Sequence, residues 1–202
     1  MRRRIDGTTS FPKFETGIPD CGVVWGGEEG LPASSVWGFA RLLELMEEPM
    51  CLVGVGNPLQ GDDGFGVELA ESLRRLWSGS PHGVLVAGDV PESYVVPVAD
   101  GPWRRVLLLD AVEAPLPAGT VILGPAQEIL ADRGSPSTHN QSLMLCCEFW
   151  VRAGKDVGLL GVVPACLTMG RPLSEPVRAS LEQLLAWLAP RVASEEVGAY
   201  VI

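Results

Sequence analysis

The chain has 202 residues, 47% of them hydrophobic, and a formal net charge of −10. That length and apolar content suit one ordinary domain, with or without an appendage. The acidic balance argues against nucleic acid as a partner. No apolar run approaches the roughly 18 residues of a membrane helix, so we expect no membrane insertion. Five cysteines without a C-x-x-C pair are typical of a reduced, cytoplasmic protein, and we interpret them as small core residues.

The first 49 residues differ in composition from the rest. Residues 1–32 are rich in glycine, proline and polar side chains, which predicts irregular structure. Residues 36–46 carry apolar side chains at helical spacing and form one candidate helix. We therefore divide the chain into an N-terminal extension, residues 1–49, and an α/β domain, residues 50–202.

The domain begins with a strand, a glycine-rich loop and a helix. Residues 51–55 are apolar and predict a buried strand, and the loop that follows carries Asp62 and Asp63. Apolar side chains then recur at helical spacing, at Phe65, Leu69, Leu73, Leu76 and Trp77. This unit opens a parallel α/β sheet, in which ligands gather beyond the carboxyl ends of the strands. We therefore expect the chemistry at the loop with the two carboxylates.

Strands and helices continue to alternate along the rest of the domain. The patterns predict strands at 84–87, 106–109, 119–123 and 159–163, and helices at about 91–99, 126–131, 138–153 and 174–188. The helix at 138–153 is so apolar that we expect it to be largely buried. The predicted fold is an α/β three-layer sandwich, with a twisted, mostly parallel five-stranded sheet and helices on both faces.

The loop after the first strand does not fit the common phosphate-binding patterns. A dinucleotide-binding loop needs a small third residue where Leu59 stands, and the lysine of a P-loop is absent. Adjacent carboxylates would also repel a phosphate, whereas they suit a cation, a shared proton or a helix cap. A nucleotide-binding function is therefore disfavoured.

Three residues converge at one edge of the predicted sheet. Asp63 follows the first strand, Asp110 ends the third, and His139 begins the helix after the fourth. The positive end of the helix dipole disfavours a protonated imidazole, and a metal needs the neutral form. Two carboxylates and an imidazole suit a borderline divalent ion such as Ni²⁺ or Zn²⁺. The sequence therefore predicts a metal site made of these three side chains.

Three further polar residues are candidates for supporting roles. We expect Asn57 to brace the loop through its side-chain amide, and Asp62 to act as a helix cap or loop carboxylate rather than a ligand. Asp89 follows the second strand and is a candidate for contacting a ligand residue. His82 is interpreted as a surface residue.

Residues 56–66, G-N-P-L-Q-G-D-D-G-F-G, resemble the signature of the [NiFe]-hydrogenase maturation endopeptidases. The D-A-V segment at Asp110 and the T-H-N segment at His139 extend the resemblance, which covers about residues 50–190 and is nearer the formate-hydrogenlyase-type branch. It implies an endopeptidase that removes the C-terminal extension of the hydrogenase large-subunit precursor after nickel insertion. It also implies that Asp63, Asp110 and His139 contact the nickel.

The resemblance leaves the chemistry open. Nickel would arrive with the substrate, and another divalent cation such as zinc or calcium could occupy the same ligands. Cleavage is either metal-assisted or performed by Asp63 and Asp110 as a pair that shares a proton, with the metal serving recognition only. The alternative function is a non-catalytic nickel-sensing or chaperone module that binds the same precursor.

Overall fold

The structure is a computed structural model that describes residue 42 and residues 46–131 and 138–189. The side chains of Thr138, His139 and Asn140 lie outside that description, although their backbone is helical. The predicted extension at residues 1–49 and its candidate helix therefore fall almost wholly outside the described residues. Within those residues, no helix is long and apolar enough to span a membrane.

Within the described residues, five strands form one sheet in the order β2-β1-β3-β5-β4. The strands are β1 Met50–Val55, β2 Gly83–Gly88, β3 Arg105–Ala111, β4 Val121–Pro125 and β5 Asp156–Val162. Strand β4 pairs antiparallel with β5, and all other neighbours are parallel. The predicted mostly parallel sheet is confirmed, and each predicted strand is present with ends that differ by a few residues.

Helices cover both faces of this sheet. They are α1 Phe65–Leu76, α2 Val95–Asp100, α3 Ala126–Ala131, α4 Thr138–Arg152 and α5 Glu175–Leu188, with short 3₁₀ turns at Gly61–Gly64 and Pro91–Tyr94. Because side chains alternate along a strand, Leu107 and Leu109 pack with α1 and α5, whereas Val106 and Leu108 pack with α2, α3 and α4. The three predicted layers are confirmed.

Two details of the helix predictions are wrong. Helix α4 is buried along one side only, at Leu143, Cys146, Cys147 and Trp150, and it exposes Leu145, Phe149 and Val151. The buried positions recur every three or four residues, so the other apolar side chains point away from the sheet. Leu76, expected on the apolar face of α1, is 55% exposed because the helix ends there and Trp77 packs into the core instead.

The start of α1 lies directly on the sheet. A Cβ atom on Gly66 would collide with the backbone oxygens of Val55 and Leu109. A glycine is therefore needed where the helix crosses the ends of β1 and β3. This close approach places the loop between β1 and α1 at the carboxyl edge of the two central strands.

Candidate active site

The loop after β1 folds back on itself and holds Asp63 in place. Gly56 has φ of +113°, and a Cβ atom there would collide with the backbone oxygen of Asp63. The backbone amide of Asn57 donates a hydrogen bond to Oδ2 of Asp63 at 2.8 Å. The side-chain oxygen of Asn57 accepts from the amide of Leu59 at 2.9 Å. The half-buried Asp63 carboxylate is therefore oriented by the loop that carries it.

Asp110 lies near the carboxyl end of β3, where it was expected, and is 1% exposed. It alternates with Val106 and Leu108, so its side chain belongs to the sheet face that α4 covers. Its Oδ1 atom accepts a hydrogen bond from the amide of Ala111 at 2.8 Å. Since β1 and β3 are neighbours, Asp110 and the Asp63 loop occupy the same edge of the sheet.

His139 lies in the first turn of α4, as the sequence predicts. Its imidazole is outside the described side chains. Among the residues whose side chains are described, no group of three His, Cys, Asp or Glu residues is arranged to hold a metal ion. The ligand set of Asp63, Asp110 and His139 therefore remains a prediction.

Helix α4 is fixed against the segment that follows β2 by two polar contacts. The hydroxyl of Ser142 donates a hydrogen bond to the carboxylate of Glu92. The indole nitrogen of Trp150 donates to the backbone oxygen of Val95 at 2.9 Å. The sequence does not reveal this role of Glu92, because nothing local to it indicates a partner 50 residues away.

Asp62 is a buried structural carboxylate rather than a helix cap. It is 0% exposed. Its two oxygens accept four hydrogen bonds, all from the loop between β5 and α5, and the donors are the amides of Ala165, Cys166 and Ser174 and the hydroxyl of Ser174. Hydrogen bonds to an ionised acceptor are the stronger kind. Asp62 therefore ties the β5–α5 loop, residues 163–174, to the loop that carries Asp63.

Asp89 is exposed and follows β2 directly. The amide of Gly56 donates a hydrogen bond to the backbone oxygen of Gly88 at 3.0 Å, so this part of the chain adjoins the first loop. The structure thus brings Asp89 to the same edge of the sheet. Its role as a supporting group stays a prediction.

A cavity of about 390 Å³ lies between the segment after β3 and the β5–α5 loop. It is lined by Glu113, Ala114, Val163, Pro164, Ala165, Cys166 and Leu167. Both segments begin at the carboxyl edge of the sheet, and the first of them follows the strand that carries Asp110. The candidate site therefore combines the carboxylates of Asp63 and Asp110 with an adjacent cavity.

No family model matches this chain. It is 30% identical over 150 residues to the hydrogenase expression/formation protein HupM of Azotobacter chroococcum mcd 1, and the match covers 67% of each protein. It is also 29% identical over 135 residues to the hydrogenase 3 maturation protease of Escherichia coli K12, which covers 65% of this chain and 83% of that protein. The chain belongs to the [NiFe]-hydrogenase maturation endopeptidase family.

Solved structures of the maturation proteases have the same fold. The crystal structure of the [NiFe] hydrogenase maturation protease HycI from Thermococcus kodakarensis KOD1 matches with a TM-score of 0.66 and 28% identity, over 74% of this chain and 97% of that one. The solution structure of the endopeptidase HycI from Escherichia coli matches with a TM-score of 0.61 and 27% identity, over 71% and 90%. These relatives agree with the catalytic interpretation of the sequence and not with a non-catalytic module.

The described cysteines of this maturation endopeptidase family member fall into two groups. Burial raises the pKa of the Cys51 and Cys147 thiols to about 12, and that of Cys146 to about 11. These three are core residues, as expected. Cys166 differs, because it is only partly buried and hydrogen bonds with Thr168 lower the pKa of its thiol.

Proposed function

We propose that this protein is a cytoplasmic endopeptidase that removes the C-terminal extension from the large-subunit precursor of a [NiFe] hydrogenase once nickel is in place. One observation carries the proposal. Asp63, in the loop after β1, and Asp110, near the carboxyl end of β3, lie at the same edge of two adjacent parallel strands, in a chain that is 29% identical to a hydrogenase 3 maturation protease.

The nickel of the precursor is the feature that the site recognises. Asp63, Asp110 and His139 would hold it, because two carboxylate oxygens and an imidazole are suitable ligands for a borderline divalent ion. The burial of Asp110 supports this role, since charge–charge attraction is stronger where the local dielectric is low. Zinc or calcium would compete for the same oxygens when nickel is absent.

The two aspartates perform the chemistry in this proposal. Without a cation between them, carboxylates that share a site do not both ionise readily, so for the cleavage step Asp63 and Asp110 share one proton, and they contact the nickel only during recognition. The ionised member accepts a proton from the attacking water, and the protonated member donates one to the leaving amide nitrogen. The new C–O bond forms first, as water adds to the carbonyl carbon, and the C–N bond of the tetrahedral intermediate breaks when its nitrogen has been protonated. In this version nickel serves only to show that the precursor is loaded. In the rival version the Lewis acidity of nickel would activate the scissile carbonyl or the attacking water.

The test compares nickel-loaded and nickel-free precursor. The purified chain is incubated with each form, and the mass of the large subunit is followed. We expect loss of the C-terminal peptide from the nickel form only. Asp63→Asn and Asp110→Asn should each abolish cleavage, whereas Asp156→Asn, an exposed carboxylate at the amino end of β5, should cleave normally.

Each other outcome is informative. Cleavage of both precursor forms would support the endopeptidase activity but show that nickel is not the feature recognised. It would also indicate that the aspartate pair is sufficient for cleavage. Binding of the nickel form without cleavage, by the wild-type chain, would overturn the endopeptidase proposal. Normal cleavage by Asp63→Asn would remove that residue from the mechanism.

A further inference from the structure

Three large apolar side chains are exposed on two loops that meet at the candidate site. Leu59 is 66% exposed in the loop after β1, and Met169 and Leu167 are 64% and 36% exposed in the β5–α5 loop. The amide of Gly170 donates a hydrogen bond to the backbone oxygen of Leu59 at 2.7 Å, so Met169 lies beside Leu59. We call these three residues the apolar lip.

The two loops that carry the apolar lip are joined by hydrogen bonds, although the side chains of the lip are exposed. Four hydrogen bonds from the β5–α5 loop end on the buried Asp62 carboxylate. Backbone hydrogen bonds add to them, from Asp62 to Cys166 at 2.8 Å and from Gly61 to Arg171 at 3.1 Å. A surface that is ordered before binding loses little conformational entropy when a partner arrives. Exposed apolar side chains on such a surface indicate an interaction site.

The lip adjoins the carboxylate that is proposed to act on the peptide bond. The backbone amide of Leu59 donates a hydrogen bond to the side-chain oxygen of Asn57. The backbone amide of Asn57 donates a hydrogen bond to the carboxylate of Asp63. Leu59 and Asp63 are thus connected through one residue. On its other side the lip borders the cavity of about 390 Å³, because Leu167 lines it together with Cys166 and Ala114.

We propose that the apolar lip binds apolar side chains of the substrate polypeptide next to the bond that is cleaved. The proposal rests on the proposed function, since an endopeptidase must hold its substrate on both sides of that bond. An extended segment of the substrate that passes Asp63 would next contact Leu59 and Met169. The cavity volume lies in the range of small ligand sites of roughly 300–1,000 Å³, so it has room for a side chain of the same segment.

Removing the apolar surface of the lip should weaken substrate binding without slowing the chemical step. We expect Leu59→Ser combined with Met169→Ser to raise the KM for the nickel-loaded precursor by about tenfold or more, with kcat unchanged, as for the loss of apolar contacts in a binding pocket. The matched control is Leu76→Ser, which is 55% exposed at the far end of α1. The Tm values of the variants should stay close to wild type, because the side chains are exposed.

Binding measured directly separates this proposal from the proposed function. The affinity of each variant for the nickel-loaded precursor is measured in an Asp63→Asn background, where no cleavage is expected, and is compared with that of the Asp63→Asn chain alone, so that the loss of one proposed nickel ligand is common to every measurement. A lip variant with wild-type affinity and wild-type KM would overturn the apolar lip and leave the endopeptidase intact. If the wild-type chain binds the nickel-loaded precursor but does not cleave it, the proposed function is wrong. A loss of affinity in the lip variant, but not in the Leu76→Ser control, would still support binding of the precursor by the apolar lip.

Photo-crosslinking identifies what lies on the lip. Met169 is replaced with p-benzoylphenylalanine, the variant is irradiated with the nickel-loaded precursor, and the linked peptide is identified by mass spectrometry. We expect the crosslink in the residues that flank the cleavage site. The same replacement at Leu76 should give none. A crosslink to a remote part of the precursor would contradict the proposal.

Discussion

The carboxylate of Asp62 accepts hydrogen bonds from both the amide and the hydroxyl of Ser174, at 2.6 and 2.8 Å. The two residues are 112 positions apart in the chain. Ser174 directly precedes α5, so this contact connects the loop after β1 with the start of α5. The organisation of the candidate site therefore depends on a carboxylate that takes no direct part in the proposed chemistry.

We expect Asp62→Asn to destabilise the protein strongly. An asparagine has one acceptor oxygen where the aspartate has two, and its amide group would face the donors of the β5–α5 loop. Breaking several buried, charge-assisted hydrogen bonds should cost about 3–5 kcal/mol of unfolding free energy. Urea denaturation measures the loss. Asp63→Asn serves as the control, because Asp63 is only half-buried, and equal losses in the two variants would contradict the structural role of Asp62.

Gly66→Ala should destabilise the contact between α1 and the sheet. The added methyl group would meet the backbone oxygens of Val55 and Leu109, which cannot move without disturbing β1 and β3. Overpacking of this kind costs about 1–3 kcal/mol. Arg74→Ala, at an exposed position of the same helix, should change the unfolding free energy little. A Gly66→Ala variant as stable as wild type would show that the helix can shift.

His82 should make the stability of the protein depend on pH. It is half-buried rather than a simple surface residue, lies 5.3 Å from the ring of Trp77 and accepts a hydrogen bond from the Met50 amide at 3.2 Å. Burial lowers the pKa of its imidazole below the usual 6.5. A base with a lowered pKa in the folded state resists protonation, so the unfolded chain binds more protons as the pH falls below about 6.5.

The contribution of His82 to stability is therefore fully present above about pH 6.5 and is lost as the pH falls through the lowered pKa of the folded state. Urea denaturation between pH 8 and pH 5 measures this loss. His82→Gln should be less stable than wild type at pH 8, and the difference should shrink toward pH 5. A difference that is constant across this range would contradict the assignment.

Cys166 should react with alkylating agents before the other described cysteines. Its pKa is lowered by hydrogen bonds with Thr168, whereas burial raises the pKa of Cys51, Cys146 and Cys147. Thiolates, not thiols, are the nucleophiles. Brief treatment with iodoacetamide at pH 7.5, followed by peptide mass spectrometry, should show the label at Cys166 first. Thr168→Val should slow that labelling, and labelling of Cys51 at the same rate would contradict the prediction.

The sequence by itself determined the local units of this protein and the positions of its candidate acidic groups. Hydrophobic periodicity depends on neighbours within one or two turns, so it located every strand of the sheet and the helices that were predicted within the described residues. The glycine-rich loop with Asp63 and the strand that carries Asp110 were evident for the same reason. The parallel arrangement of the strands then predicted that both residues lie at the same edge of the sheet.

Only the tertiary structure decided which distant residues meet. The partners of Asp62 lie 103 to 112 positions away, and the Glu92–Ser142 contact joins residues 50 apart. The apolar lip forms because Leu59 and Met169 come from two different loops. The antiparallel direction of β4 and the exposed side of α4 were likewise decided by packing. No local pattern encodes such contacts, since they form only when segments far apart in the sequence pack on the same sheet.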